Sequence, residues 1–170
     1  NWKAKGMTMC EIPPIRMLVL TLTGRCNFKC LYCYASEQDP VDMTEETAIA
    51  AVALAHVSKN QFLLQFSGGE PLLQFPLIRK VVDFVEKNHV NAQMQIQTNG
   101  ALLTKDIGKW LFDHNVGIGI SCDGRPELMN SLRVSKDGDR SSQKVIQAFQ
   151  NLGESNIEAG ITCVVTDDTV

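Results

Sequence analysis

The chain has 170 residues, 44% hydrophobic and 21% charged, which suits a single globular domain with a real core. Its net charge is −3 and its 16 basic residues are scattered, so neither a nucleic-acid surface nor an anionic membrane partner is expected. No apolar stretch approaches the roughly 20 residues of a membrane span, and the start, NWKAKGMTMC, is neither a secretory signal nor an initiator methionine.

Those absences point to the cytoplasm and to a chain cut or processed at its start. Residues 1–16 read as an N-terminal extension and 17–170 as one core domain, stopping abruptly at TDDTV as though part of something longer. Met17-Leu18-Val19-Leu20-Thr21-Leu22 is the first predicted strand. Behind it lies GRCNFKCLYCY, residues 24–34, with Cys26, Cys30 and Cys33 within eight residues. Thr44 can cap a helix that carries Glu45 and Glu46 in its first turn and runs to about His56. Phe62-Leu63-Leu64-Gln65-Phe66 is the second strand, followed by Ser67-Gly68-Gly69-Glu70-Pro71. From Pro71 to about Asn88, Leu77, Ile78, Val81, Val82 and Val85 recur at helical spacing. Gln93-Met94-Gln95-Ile96-Gln97 alternates as a third strand and ends in Thr98-Asn99-Gly100. Thr104 caps the next helix, ending near Asn115, with Trp110 and Phe112 expected in the core. Val116-Gly117-Ile118-Gly119-Ile120 is the fourth strand, followed by Ser121-Cys122-Asp123-Gly124. A helix over about 142–152 and a strand over 159–165 complete the chain.

Strands alternating with helices of this length mean βαβ units and a parallel sheet. Roughly four and a half units cannot close an eight-unit barrel. An α/β partial barrel or open sheet is therefore expected, in strand order 1-2-3-4-5 with helices on its outer face. Each unusual motif falls at the C-terminal end of its strand, the edge where parallel α/β folds build sites.

The cysteines carry the chemistry. Cys10, Cys26, Cys30, Cys33, Cys122 and Cys163 could form three disulfides, but three of them crowd one loop, which fits metal binding or catalysis better. Thiolates select zinc, copper(I) or iron–sulfur. Zinc sites generally pair two knuckles, and no second knuckle or nearby ligating histidine is present. Iron–sulfur clusters are wrapped by short cysteine loops, and three ligands to a four-iron cube leave one iron open to a small chelating molecule. Cys10 reads as a surface or strand-flanking thiol and Cys163 as a small buried hydrophobe. Cys122 should point away from Ser121 and Asp123 and pack.

CxxxCxxC with an aromatic, Tyr32, before its last cysteine resembles the signature of radical S-adenosylmethionine (radical SAM) enzymes. The resemblance implies a radical SAM partial (β/α) barrel holding a 4Fe–4S cluster on Cys26, Cys30 and Cys33. S-adenosylmethionine would chelate the open iron through its amino and carboxylate groups. An electron from the cluster then cleaves the sulfonium, and the 5′-deoxyadenosyl radical abstracts hydrogen from substrate. In the second family mark, GGEP, Gly68 and Gly69 would let backbone approach a ligand and Glu70 would accept from the cofactor's ammonium.

QTNG and SCDG followed by Arg133 resemble the subgroup of anaerobic sulfatase maturases and SPASM-type peptide maturases. There a serine and an arginine hold the cofactor's carboxylate. Ser121 and Arg133 match, with Arg140 competing. Asn99 would touch the ribose, and Tyr32, Pro71 and Asp123 complete the cofactor-binding set, with no catalytic residue assigned beyond the cluster. Blander roles stay open: GGEP as a turn before a helix, Asn99-Gly100 as a turn pair, either arginine as a solvated charge. Ser67 stands where sulfatase maturases carry glutamine. The resemblance thus favours a peptide maturase making thioethers or other side-chain changes. Formylglycine-forming sulfatase maturation is the alternative, and a non-catalytic iron–sulfur module the competing class. The implied partners are a peptide or protein substrate and a flavodoxin- or ferredoxin-like electron donor. Any auxiliary-cluster cysteines of a SPASM region would lie beyond residue 170.

Overall fold

The computed structural model describes residues 14–37, 39–57 and 59–165. Cys10, most of the expected extension and the last five residues lie outside the described residues. In chain order the elements are β1 (Met17–Thr21), β2 (Phe28–Cys30), α1 (Glu45–His56), β3 (Phe62–Ser67), a 3-10 turn (Pro71–Gln74), α2 (Phe75–Lys87), β4 (Ala92–Thr98), α3 (Lys105–Asp113) and β5 (Val116–Ser121). Then follow α4 (Pro126–Leu132), β6 (Arg133–Ser135), α5 (Ser141–Gly153) and β7 (Gly160–Thr162). The main sheet is parallel in the order β1-β3-β4-β5-β7, the expected sequence of five consecutive predicted strands.

The two faces of this sheet differ because side chains alternate along each strand. Leu64, Phe66, Met94, Ile96, Ile118 and Ile120 are buried on one face, beneath helices that contribute Val52, Ile78, Val82, Val145 and Leu152. Each such aliphatic side chain, fully buried, stabilises the fold by about 1.5–3 kcal/mol. On the opposite face, polar side chains cluster across β3, β4, β5 and β7, beside Met17, Val19 and Leu63 at the β1 edge. Gln95 Nε2 donates to Gln65 Oε1 at 2.7 Å, Gln97 Nε2 to Ser121 Oγ at 3.1 Å, and Thr162 Oγ1 to Gln97 Oε1 at 3.0 Å. A parallel sheet covered by helices on both faces reads as continuous apolar runs. The alternation in β4 therefore marks this sheet as the wall of a partial barrel with a polar interior.

Thr44 Oγ1 accepts from Thr47 N and Thr104 Oγ1 from Ile107 N, each at 3.2 Å, so both expected caps are present. The expected helix from Pro71 to Asn88 is two pieces. Phe75 N bonds back to Leu72 O in a 3-10 turn, and Pro76, lacking an N–H, fits only in the first turn of a new helix. Two elements went unforeseen, α4 and the antiparallel ribbon in which Cys30 faces Arg133 across β2 and β6. Cys163 is exposed, contrary to expectation; it follows β7, which among the described residues is bonded to β5 alone. Phe112 is 58% exposed, since Gly108 and Leu111 form the buried side of α3. Trp110 is half-buried, stacked on His114 at 4.2 Å and edge-on to Phe75. No helix among the described residues is long and apolar enough to cross a membrane.

Candidate active site

Because β1, β3, β4 and β5 are parallel, the loops that follow them share one edge. The loop after β1 and the GGEP segment after β3 are locked backbone to backbone. Gly69 N donates to Thr23 O at 2.8 Å and Glu70 N to Arg25 O at 2.9 Å. A Cβ on Gly69 would lie 2.3 Å from Arg25 O. Gly68 has φ +144°, and a Cβ there would lie 2.5 Å from Thr23 O. The close approach expected of these glycines is thus made to the root of the cysteine loop. That root is tied again by Asp42, which accepts from Thr23 Oγ1 at 2.6 Å and from Arg25 Nε and Nη2 at 3.0 and 2.6 Å.

Glu70 is held within the chain. Its side chain is fully buried, with Oε1 accepting from Leu72 N at 3.0 Å and Thr98 Oγ1 at 2.6 Å, and Oε2 from Asn99 N at 2.8 Å. Burial pushes its pKa up, and those three donors oppose the rise. The carboxylate expected to receive an ammonium group faces inward here and fastens the end of β4 to the GGEP segment. Pro71, also buried, opens the 3-10 turn.

Asn99, expected at a ribose, turns to the cysteine loop. Its Nδ2 donates to Asn27 Oδ1 at 2.7 Å and to Cys26 Sγ at 3.7 Å, and its Oδ1 accepts from Ala101 N at 2.9 Å. Phe28 N donates to Cys26 Sγ at 3.4 Å. Burial raises the Cys26 thiol pKa, opposed by the Phe28 N–H, and pushes Cys30 up to about 11 despite the Arg133 charge nearby.

At the end of β5, Asp123 is 3% exposed and forms a bidentate pair with Arg133, Nε to Oδ2 at 2.7 Å and Nη2 to Oδ1 at 3.1 Å. Tyr32 Oη donates to Asp123 Oδ2, Val164 N donates to Oδ1 at 3.1 Å, and the Arg133 guanidinium lies 5.4 Å from the Tyr32 ring centre. Burial would raise the Asp123 pKa, but these bonds hold it below the ordinary value. An arginine presents five N–H donors, and Asp123 engages Nε and Nη2, leaving Nη1 for a ligand. Ser121 Oγ is bonded to Gln97, and Cys122 turns the other way, donating to Met129 Sδ at 3.7 Å as expected. Of the two candidate arginines, Arg133 stands in the site. Arg140 is exposed at the start of α5, on a groove with Gly100, Gln143 and Asn151.

Cys26, Cys30 and Cys33 are all half-buried and free. Among the described residues no three His, Cys, Asp or Glu side chains converge on a single-ion site. The all-sulfur donor set of the three cysteines suits iron–sulfur chemistry. Asn27, Thr98 and Asp42 were not anticipated. Asn27 carried a signal, standing between two cysteines, and Thr98 another, lying within QTNG.

Three thiols at the C-terminal edge of a parallel α/β sheet, with a polar interior beneath, define a cluster-binding α/β protein. The chain belongs to the radical SAM superfamily, whose family model matches residues 20–169. That family works with a 4Fe–4S cluster and S-adenosylmethionine. An uncharacterized protein of Methanocaldococcus jannaschii is 39% identical over 155 residues, covering 90% of this chain and 54% of its own length. A cysteine-type anaerobic sulfatase-maturating enzyme of Clostridium perfringens is 29% identical over 170 residues, covering 93% of this chain and 46% of its own. The solved structure of native anSMEcpe with bound AdoMet and Cp18Cys peptide superposes with TM-score 0.82 at 28% identity, covering 92% of this chain and 45% of that one. The chain thus spans about half the length of these relatives.

Proposed function

We propose that this chain is the cofactor-binding part of a radical SAM enzyme that abstracts hydrogen from a peptide or protein side chain. The observation that carries it is the cysteine loop fastened by the GGEP segment above an open polar sheet face. When bound, a 4Fe–4S cluster supplies the electron that reductively cleaves S-adenosylmethionine to a 5′-deoxyadenosyl radical. Cys26, Cys30 and Cys33 hold it. Arg133 Nη1, aligned by Asp123 and Tyr32, and Ser121 Oγ offer donors to the cofactor's carboxylate. The Gln65, Gln95 and Gln97 amides give the interior donors and acceptors for a peptide backbone, and the peptide bound to anSMEcpe supports that substrate class. The electron comes from an external flavodoxin- or ferredoxin-class carrier.

The test uses full-length protein, reconstituted anaerobically and reduced with dithionite. Side-chain-deuterated peptides should transfer deuterium into 5′-deoxyadenosine. Formylglycine from a sulfatase-type cysteine peptide would assign the chain to sulfatase maturation, whereas a different mass change on another peptide would favour the maturase reading. Cluster formation without any cleavage of S-adenosylmethionine would remove the enzymatic reading.

A further inference from the structure

Two N–H groups aim at the sulfur of Cys26. One is local, the Phe28 amide at 3.4 Å. The other is the Asn99 side chain at 3.7 Å, arriving from the end of β4. Asn99 is held at every polar atom that could let it swing away. Its Oδ1 takes Ala101 N, which turns the Nδ2 amine toward the loop, and Nδ2 also donates to Asn27 Oδ1. Its backbone N is fixed by Glu70 Oε2, and the preceding Thr98 hydroxyl by Glu70 Oε1. An asparagine serving only a turn would be satisfied by Ala101 N. Here the side chain is 7% exposed and its amine points at a thiol.

We propose that Asn99 sets the reduction potential of the cluster through an N–H···S hydrogen bond to Cys26, with Glu70 as the positioning residue that holds it there. This rests on the cysteine loop holding a 4Fe–4S cluster, as in the function proposed above. Reduction adds one electron, given up by a one-electron carrier or by dithionite, with no bond or proton exchanged. The added charge is shared with the thiolate sulfurs, so a donor aimed at one of them stabilises the reduced state more than the oxidised state. The shift is toward easier reduction. Asn99 supplies it without a charge of its own, its Nδ2 donating to Asn27 Oδ1 and Cys26 Sγ.

The test is an EPR-monitored redox titration of full-length, anaerobically reconstituted protein, with iron content and S-adenosylmethionine binding measured on the same samples. Asn99→Ala should keep its iron and its cofactor affinity. At a fixed donor potential its ratio of reduced to oxidised cluster should fall about threefold to tenfold, the upper end corresponding to ~59 mV for one electron. Asn99→Asp keeps the oxygen that takes Ala101 N and replaces the donor by a charged acceptor, so its shift should have the same sign and be larger. An unchanged potential with weakened cofactor binding would overturn the proposal and return Asn99 to the ribose. Loss of iron from both variants would also overturn it, making Asn99 a brace of the loop. A wild-type protein that takes up no four-iron cluster fails at the earlier step, the functional reading itself.

Discussion

Asp123 shows how much one carboxylate can organise when it is buried among donors. It gathers Arg133, Tyr32 and Val164 N from three separate segments. Its pKa lies below the ordinary 3.8 because those bonds outweigh burial. Its stabilisation is therefore complete above that value and is lost as pH falls through the lower folded value. In urea melts of the apoprotein, Asp123→Asn should lose about 3 kcal/mol at neutral pH by leaving Arg133 buried and unpaired, and its acid limb should be shallower than that of the wild type. Equal midpoints at neutral pH would refute the account. Alanine at Cys26, Cys30 or Cys33 should abolish the intact cluster of about four irons, while alanine at Cys122 or Cys163 should leave iron near normal. At this scale the sequence disclosed which residues matter better than where they point. Glu70 and Asn99 were visible as site residues, but their orientation is decided by partners on other strands, and no local pattern reveals that.

The working element is the clasp between the loop after β1 and the GGEP segment, where two backbones run too close for a side chain. Gly69→Ala would drive a Cβ to 2.3 Å from Arg25 O, so the loops must part. Reconstituted Gly69→Ala should lose most of its iron while its far-UV circular dichroism stays near native, since the helices and inner strands do not depend on the clasp. Gly153→Ala, with nothing within 4 Å of its Cβ, should keep both. Native iron content in Gly69→Ala would mean the loops move apart without consequence. Long elements with a strong period were legible in the sequence, as were the caps at Thr44 and Thr104. The β2–β6 ribbon was not, because three residues are too few to show a period. Its pairing also closes a long loop that only the finished fold makes favourable.

For the whole molecule, strand order was readable because right-handed crossovers between consecutive βαβ units leave little choice. The polar interior was readable from the alternation in β4, though the glutamine pairs across it were not. β4 is bonded on both sides, whereas among the described residues β7 has one neighbour, and all three of its residues are exposed. Amide exchange should accordingly be slowest in β3, β4 and β5 and fastest in β7; β7 protected as well as β4 would contradict this layout. The two-faced sheet also makes the chain's tolerance of insertions and deletions one-sided. Deleting one residue in the middle of β4 would rotate the Gln95 row into the helix layer and the Met94 and Ile96 row into the interior. It would also pull Asn99 away from Cys26. The returns at the other edge turn on Lys59, His89, Asn115 and Asn156, each with φ between 50° and 58°, and they can lengthen without shifting any strand's frame. Changes in length should be absorbed at that end of the sheet, and the edge that carries the cysteines should keep its count.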